Sequence, residues 1–186
     1  AASDVYKRQL GILPVIDSRI SMFYGEEDDF YKDPIIEGLN RVFNLELRYS
    51  GLFSETALIK KGSSESPDIK EVQSIGNLNG VNLLLITHLT EFNFSRTPVD
   101  YYLIGLGARS ETVFINSIRV SFISRLIDVE TGLILFAEEI NRESIESASS
   151  RDIDPDLIEK MTKDVLKQSF SDLNILIQEN GLRMIS

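Results

Sequence analysis

One stretch constrains this chain more than any other: Val120-Ser-Phe-Ile-Ser-Arg-Leu-Ile-Asp-Val-Glu-Thr-Gly-Leu-Ile-Leu-Phe-Ala137. It reads as a strand, a tight turn at Glu130-Thr131-Gly132 and a returning strand. The outgoing arm places Val120 and Phe122 on one face and Ile123, Ile127 and Val129 on the other. Such alternation marks a pleated strand with at least one buried face. Gly132 suits the positive φ that closes a short hairpin.

Around this hairpin the chain alternates strand and helix signals. Leu10 to Ile16 is a short apolar run containing Pro14, which predicts an edge strand or a non-bonded position. Asp17 to Asp29 reads as a loop. Asp33-Pro34 predicts a helix start, and Ile35, Ile36, Leu39, Val42 and Phe43 recur at helical spacing, giving a helix over 33–46. Leu52 to Ile59 reads as a strand. A second helix is expected over 67–79, ended by Gly80. Val81 to Phe94 is a long strand whose apolar first half suits a position covered on both faces. Ser95 to Arg109 reads as a connection, and Ser144 to Asp154 as a loop or frayed strand end. Asp154-Pro155 opens a last helix over 155–179, with a stripe of Leu157, Ile158, Met161, Val165, Leu166, Phe170, Leu173 and Ile177, ended by Gly181. The expected fold is α/β (α+β), a mixed sheet in the order β-α-β-α-β-β-β-α with helices packed on it. Residues 10–186 form one domain. Residues 1–9 carry no pattern continuous with it and read as a non-native or disordered tail.

Composition excludes several functions. The net charge is −10, and the densest basic spot is Lys60-Lys61. Phosphate binding needs basic clusters, so no nucleic-acid partner is expected. There is no cysteine, which removes disulfides, thiolate metal sites and cysteine nucleophiles. No window approaches the roughly 18 apolar residues of a spanning helix.

Catalytic chemistry finds no support. His88, the one histidine, stands in mid-strand with no second histidine or cysteine to complete a metal site, and reads as a strand residue bonded to its neighbours. Glu26-Glu27-Asp28-Asp29 lacks the spacing of a calcium loop. Asp152 and Asp154 read as helix-capping residues. Gly105-Leu-Gly107 is not a dinucleotide fingerprint, because Ser110 replaces the third glycine and a strand follows. No serine occupies a G-x-S-x-G elbow. The expectation is a non-enzyme with no cofactor, no metal and no small-molecule substrate.

The hairpin wording, with Leu10-Gly-Ile-Leu-Pro-Val15, Asn79-Gly-Val-Asn-Leu-Leu-Leu-Ile86 and Tyr102-Leu-Ile-Gly-Leu-Gly-Ala108 in order, resembles the CsgG-like family of bacterial envelope proteins. That family contains the curli secretion channel and, more distantly, LpoB-type lipoproteins that regulate peptidoglycan synthases. The resemblance runs from Leu10 to about Leu173. It implies a periplasmic, outer-membrane-associated protein acting by self-association or through an envelope protein partner. It also implies a signal peptide and lipid-anchor cysteine upstream of the chain. The channel carries membrane hairpins, one of them in the region matching Asn93–Ser117. Here Arg96, Asp100, Arg109 and Glu111 interrupt that interval, and charges on a lipid face cost about 2–4 kcal/mol for Arg or Lys at mid-bilayer. The interval matching the second hairpin, 141–154, is short and polar. The expectation is therefore a domain without a pore. Two long connections, 22–31 and 95–111, are the expected recognition loops. Their candidate residues are Phe23, Tyr24, Phe30, Tyr31, Tyr101, Tyr102 and Arg109.

Overall fold

Among the described residues the elements follow one another as β1 (Gln9–Ile12), β2 (Ile16–Asp17), α1 (Asp29–Tyr49), β3 (Glu55–Leu58), α2 (Ile69–Asn79), β4 (Leu83–Leu103), β5 (Arg109–Asp128), β6 (Ile134–Ala148) and α3 (Pro155–Arg183). The computed structural model describes residues 8–19, 29–59, 67–103 and 109–183. Its sheet has the order β3-β1-β4-β5-β6, with β2 paired to β4 outside that path. β1, β2 and β3 run parallel to their neighbours, and β4, β5 and β6 form an antiparallel meander. The architecture is α/β: three helices packed on a mixed sheet.

Both faces of the sheet are covered where β1 and β4 meet. Alternate residues of β4 and β5 explain this directly. Leu83, Leu85 and Leu89, with Val120, Phe122 and Leu126, enter the larger core under α1 and α3. Leu84 and Ile86, with Ile127 and Val129, enter a smaller core against Val72 of α2. In the larger core, Phe43 of α1 meets Phe122 of β5 and Phe170 of α3 edge-on, with centroids 5.4 and 4.6 Å apart. One buried polar pair, Thr87 and Ser124, satisfies itself across the strands at 3.0 Å.

Several boundaries differ from the sequence expectation. β1 is an interior strand, so of the two expected places for Pro14 the edge strand is wrong and the non-bonded position, between β1 and β2, is right. Pro14 breaks the pairing there: between the pairs Ile12↔Leu85 and Ile16↔His88 the β1–β2 segment carries one residue more than β4. The first helix starts at Asp29, and Pro34 is its sixth residue. A proline that close to the start forfeits one backbone bond, which the helix tolerates. Helix α2 is capped by Asp68, whose side chain accepts from the Glu71 N–H at 2.8 Å. Gly80 closes it in the left-handed conformation, and Gly132 takes φ 72° in the hairpin turn, both as expected. Gly181 does not end α3, which continues to Arg183. The largest differences lie in the strands. β4 does not stop at Phe94 but runs to Leu103, and β6 runs to Ala148.

Gly76 marks where α2 meets the sheet. A Cβ there would lie 2.4 Å from a methyl of Val129. Alanine gains up to about 1 kcal/mol of helix propensity over glycine, but overpacking a fitted contact costs about 1–3 kcal/mol. Gly76→Ala should therefore destabilise the chain by about 1–2 kcal/mol in urea titration, on balance of those two terms. Adding Val129→Ala should recover the glycine's share of the loss in a double-mutant cycle. A stabilised Gly76→Ala chain would mean that α2 does not sit this close.

Candidate functional site

β4 is 21 residues long, far beyond the usual strand of about 5–6. At about 3.3 Å per residue it spans about 70 Å, whereas α3, with 29 residues, spans about 44 Å at 1.5 Å per residue. Helices cannot cover such strands end to end. The ladder between β4 and β5 nevertheless continues to Leu103↔Arg109, and β6 accompanies it to Phe114↔Ala148. The outcome is an arm: three strands wide up to Ala148 and two strands wide beyond.

A bulge sets which side chains the arm shows to each side. The register shifts between Leu89 and Glu91, and one extra residue reverses the facing of everything beyond it. Phe92 thereby joins the face that packs on the larger core. Arg96 follows on the same face. Its guanidinium lies 4.4 Å from the centre of the Phe114 ring and donates to the carbonyls of Ser150 (2.5 Å) and Asp152 (3.2 Å). The loop that leads into α3 is thus fastened to the underside of the arm. Helix α3 is tied to β6 by Arg142–Asp172 (2.8 Å) and Lys160–Glu146 (3.3 Å).

The opposite face of the arm has no helix over it among the described residues. Glu91, Arg119, Glu139 and Glu143 lie there. Arg119 stands 3.8 Å from Glu91 and 3.4 Å from Glu143. Ser121 donates to Glu139 at 2.9 Å, and Ser117 donates to Glu143. The Ser117 hydroxyl, and then Arg119, hold the Glu143 carboxyl below the ordinary glutamate range. Further out, Val99 pairs with Val113, and Tyr101 with Glu111. Tyr101 is 50% exposed and Ile145, on β6, 61%. Sequence alone passes over these carboxylates: 141–154, which holds Glu143, reads only as a short polar interval and 144–154 as a loop or frayed strand end. The spacing Glu139-x-x-x-Glu143 on a strand was the available signal.

The residues singled out from sequence fall in two groups. Phe23 and Tyr24 lie outside the described residues, as do Glu26–Asp28, Gly105 and Gly107. Phe30 and Tyr31 are not in a loop; they belong to the first turns of α1. Tyr101, Tyr102 and Arg109 are not in a connection either. They are paired strand residues of the arm, opposite Glu111, Ser110 and Leu103. The structure gathers these three at one end of the molecule and places Phe30 and Tyr31 on another element.

His88 sits where β2 meets β4. Its Nδ1 is 3.0 Å from the Ser18 hydroxyl, while its buried Nε2 has no partner among the described residues. Burial, and then the Arg125 charge, lower its pKa. Among the described residues no three metal-binding side chains converge. At the end of the sheet far from the arm, a cleft of about 480 Å³ is lined by Arg8, Gln73, Asn77, Asn82, Asp128 and Glu130. Arg8 and Asp128 pair across it at 2.9 Å. Burial pushes the Asp128 carboxyl up, but Thr131, through its backbone N–H and its hydroxyl, and Arg8 outweigh this and leave it lowered. Asp154 caps α3 by accepting from the Asp156 N–H at 3.0 Å.

These two groups give stability a two-step acid dependence. Unfolded, His88 binds a proton below about pH 6.5; folded, it resists protonation to a lower pH. Stability is unaffected above that window and falls as the pH drops through it. Asp128 acts lower: its contribution is complete above about pH 3.9 and is lost as the pH falls through its lowered folded value. Urea midpoints should therefore drop between pH 7 and pH 5, and His88→Gln should reduce that drop while leaving the loss below pH 4. An unchanged pH 7 to 5 slope in the variant would exclude His88 as its source.

No protein-family model matches this chain, and no curated protein matches it. Among solved structures, it is similar to lipoprotein GNA1162 from Neisseria meningitidis, at 15% identity over 87% of this chain and 96% of that one, with a TM-score of 0.48. It is also similar to PelC from Paraburkholderia phytofirmans, a dodecamer, at 12% identity over 87% of each chain and a TM-score of 0.41. The C-terminal domain of LpoB from Salmonella enterica matches at 12% identity over 77% of this chain and 83% of that one, with a TM-score of 0.36.

Proposed function

We propose that this chain is a non-enzymatic binding module of the bacterial cell envelope, periplasmic and associated with the outer membrane, which engages a protein partner through its arm. The arm carries the reading: a ladder that outruns the helical layer and ends in Val99, Tyr101, Val113 and the strand residues Tyr102 and Arg109. Such a structure contributes little to the core and presents backbone edges and side chains at a distance from it. Placement in the envelope rests on the sequence resemblance set out above. The partner is an envelope protein or a further copy of the chain, as in secretion assemblies or in the regulation of a peptidoglycan synthase.

A pore-forming subunit is the alternative. The length of the arm favours it, since a spanning strand needs about 9–11 residues. Its chemistry does not. Arg96 and Asp100 occupy one face of the arm, Glu111 and Arg119 the other. The interval 141–148 is a third strand of the same meander, and a six-residue link joins it to α3, leaving no room for a second hairpin.

A photo-crosslinking residue placed at Tyr101 in the cell envelope tests the proposal. Crosslinks should form there and be absent from the same residue at Leu78, which is 84% exposed on α2. Equal crosslinking at both, or none at Tyr101, would remove the arm as the binding element. Purified protein added to liposomes should give no conductance; stepwise currents would establish the pore reading instead.

A further inference from the structure

We infer that the outer edge of β6 receives an extended basic segment of a protein partner as an added antiparallel strand, with lysine or arginine at two positions four residues apart. This deepens the binding reading above and rests on it. β6 is 15 residues long and hydrogen-bonds to β5 alone among the described strands. Its other edge therefore carries a row of backbone donors and acceptors with no ladder partner. It contains no proline or glycine to interrupt a new ladder. Edges of this kind are templates for strand addition.

The charges select the occupant. On the face toward α3, Arg142 is held by Asp172 and Glu146 by Lys160. On the open face, Glu139 and Glu143 are held upright by Ser121, Ser117 and Arg119. Each carboxylate keeps acceptor capacity beyond those donors, because an ionised carboxylate has about four lone-pair sites. With Glu91, three carboxylates there face one guanidinium. Residues 139 and 143 share a face, about 13 Å apart along the strand. A strand laid against β6 meets both with side chains spaced by four, never by three, because three places them on opposite faces. Ile145, two residues past Glu143 on the same face, calls for an apolar residue. In antiparallel register the complementary segment reads apolar-x-Lys-x-x-x-Lys.

A second copy of this chain fits the edge poorly. Pairing two β6 edges about Asn141 sets Glu139 of each copy against Glu143 of the other, and like charges directly opposite destabilise a ladder.

The test uses the whole chain and two synthetic peptides of one composition and charge. In one the lysines are four apart, in the other three apart. In fluorescence anisotropy the four-spaced peptide should bind up to about five-fold more tightly, because the three-spaced peptide can set only one lysine against a carboxylate. Glu139→Lys with Glu143→Lys should abolish that preference while the circular dichroism stays unchanged. Hydrogen exchange should show new protection within 134–148 on binding. Equal affinity for both peptides, or no binding, overturns the inference, as does protection of 134–148 that grows with protein concentration in the absence of peptide. Crosslinks from Tyr101 to a partner that leaves β6 unprotected would sink the basic-strand inference and keep the binding module. Absence of any Tyr101 crosslink together with absence of peptide binding would remove the binding module itself.

Discussion

A single inserted residue in β4 governs the form of this molecule. Up to Leu89, odd-numbered residues of β4 face α1 and α3; beyond the register shift at Leu89/Glu91 the even-numbered ones do. Without that shift Glu91 would point into the phenylalanine core, and Phe92 and Arg96 would point away from it. With it, Phe92 and Arg96 land on the side where α3 and the loop leading into it can meet them. Glu91 reaches the open side and finds Arg119. The ladder can then run the full length of β4 without burying a charge, which a core of this kind does not tolerate unpaired.

The helices respond to that ladder. α3 follows β6 in the reverse direction, and its buried stripe of Met161, Val165, Phe170, Leu173 and Ile177 matches the face built by Ile118, Val120, Phe122, Phe136 and Ile140. Phe43, Phe122 and Phe170 come from three elements and meet at one point, so α1, β5 and α3 share a joint. Aromatic pairs in this edge-on arrangement add about 0.5–1.5 kcal/mol each beyond the area they bury. Among the described residues, the α2 side of the sheet is covered near Leu84, Ile86, Ile127 and Val129 alone. The asymmetry between a long helix on one face and a short one on the other leaves half of the arm bare.

Much of this was legible in the residues. Element types and order follow from periodicity, and Gly80 and Gly132 occupy the left-handed positions their neighbours call for. What sequence did not reveal was how far the strands run. Pro98 reads locally as a strand terminator, yet among the described residues β4 has β5 as its one neighbour beyond Leu89, so a missing N–H turned to the free edge costs no ladder bond. The bulge interrupts the alternation of β4, and past Phe94 the residues from Ser95 to Arg109, with their proline and charges, look like a connection. β6 past Asn141 is polar on both faces because one side meets α3 through ion pairs and the other meets no helix. Tyr101, Tyr102 and Arg109 read as residues of a long recognition loop at 95–111. Their place in a paired strand depends on a register that only the fold supplies.

The two open edges of the arm are not equivalent. Distal β4 carries Pro98 near its middle, with Arg96 and Asp100 one pleat to either side on the same, α3-facing side. A strand added there would lose a donor at Pro98 and meet charges of both signs. β6 has an unbroken backbone, Arg142 and Glu146 on its α3 face are paired, and its open-face charges share one sign. Edge protection by proline on one flank and by like charge on the other has different consequences: proline disfavours every added strand, whereas two carboxylates disfavour only acidic ones. The arm is therefore closed on the β4 side and selective on the β6 side. That difference gives a chain of net charge −10 a means of excluding its own copies from the same edge that it leaves open to a basic partner.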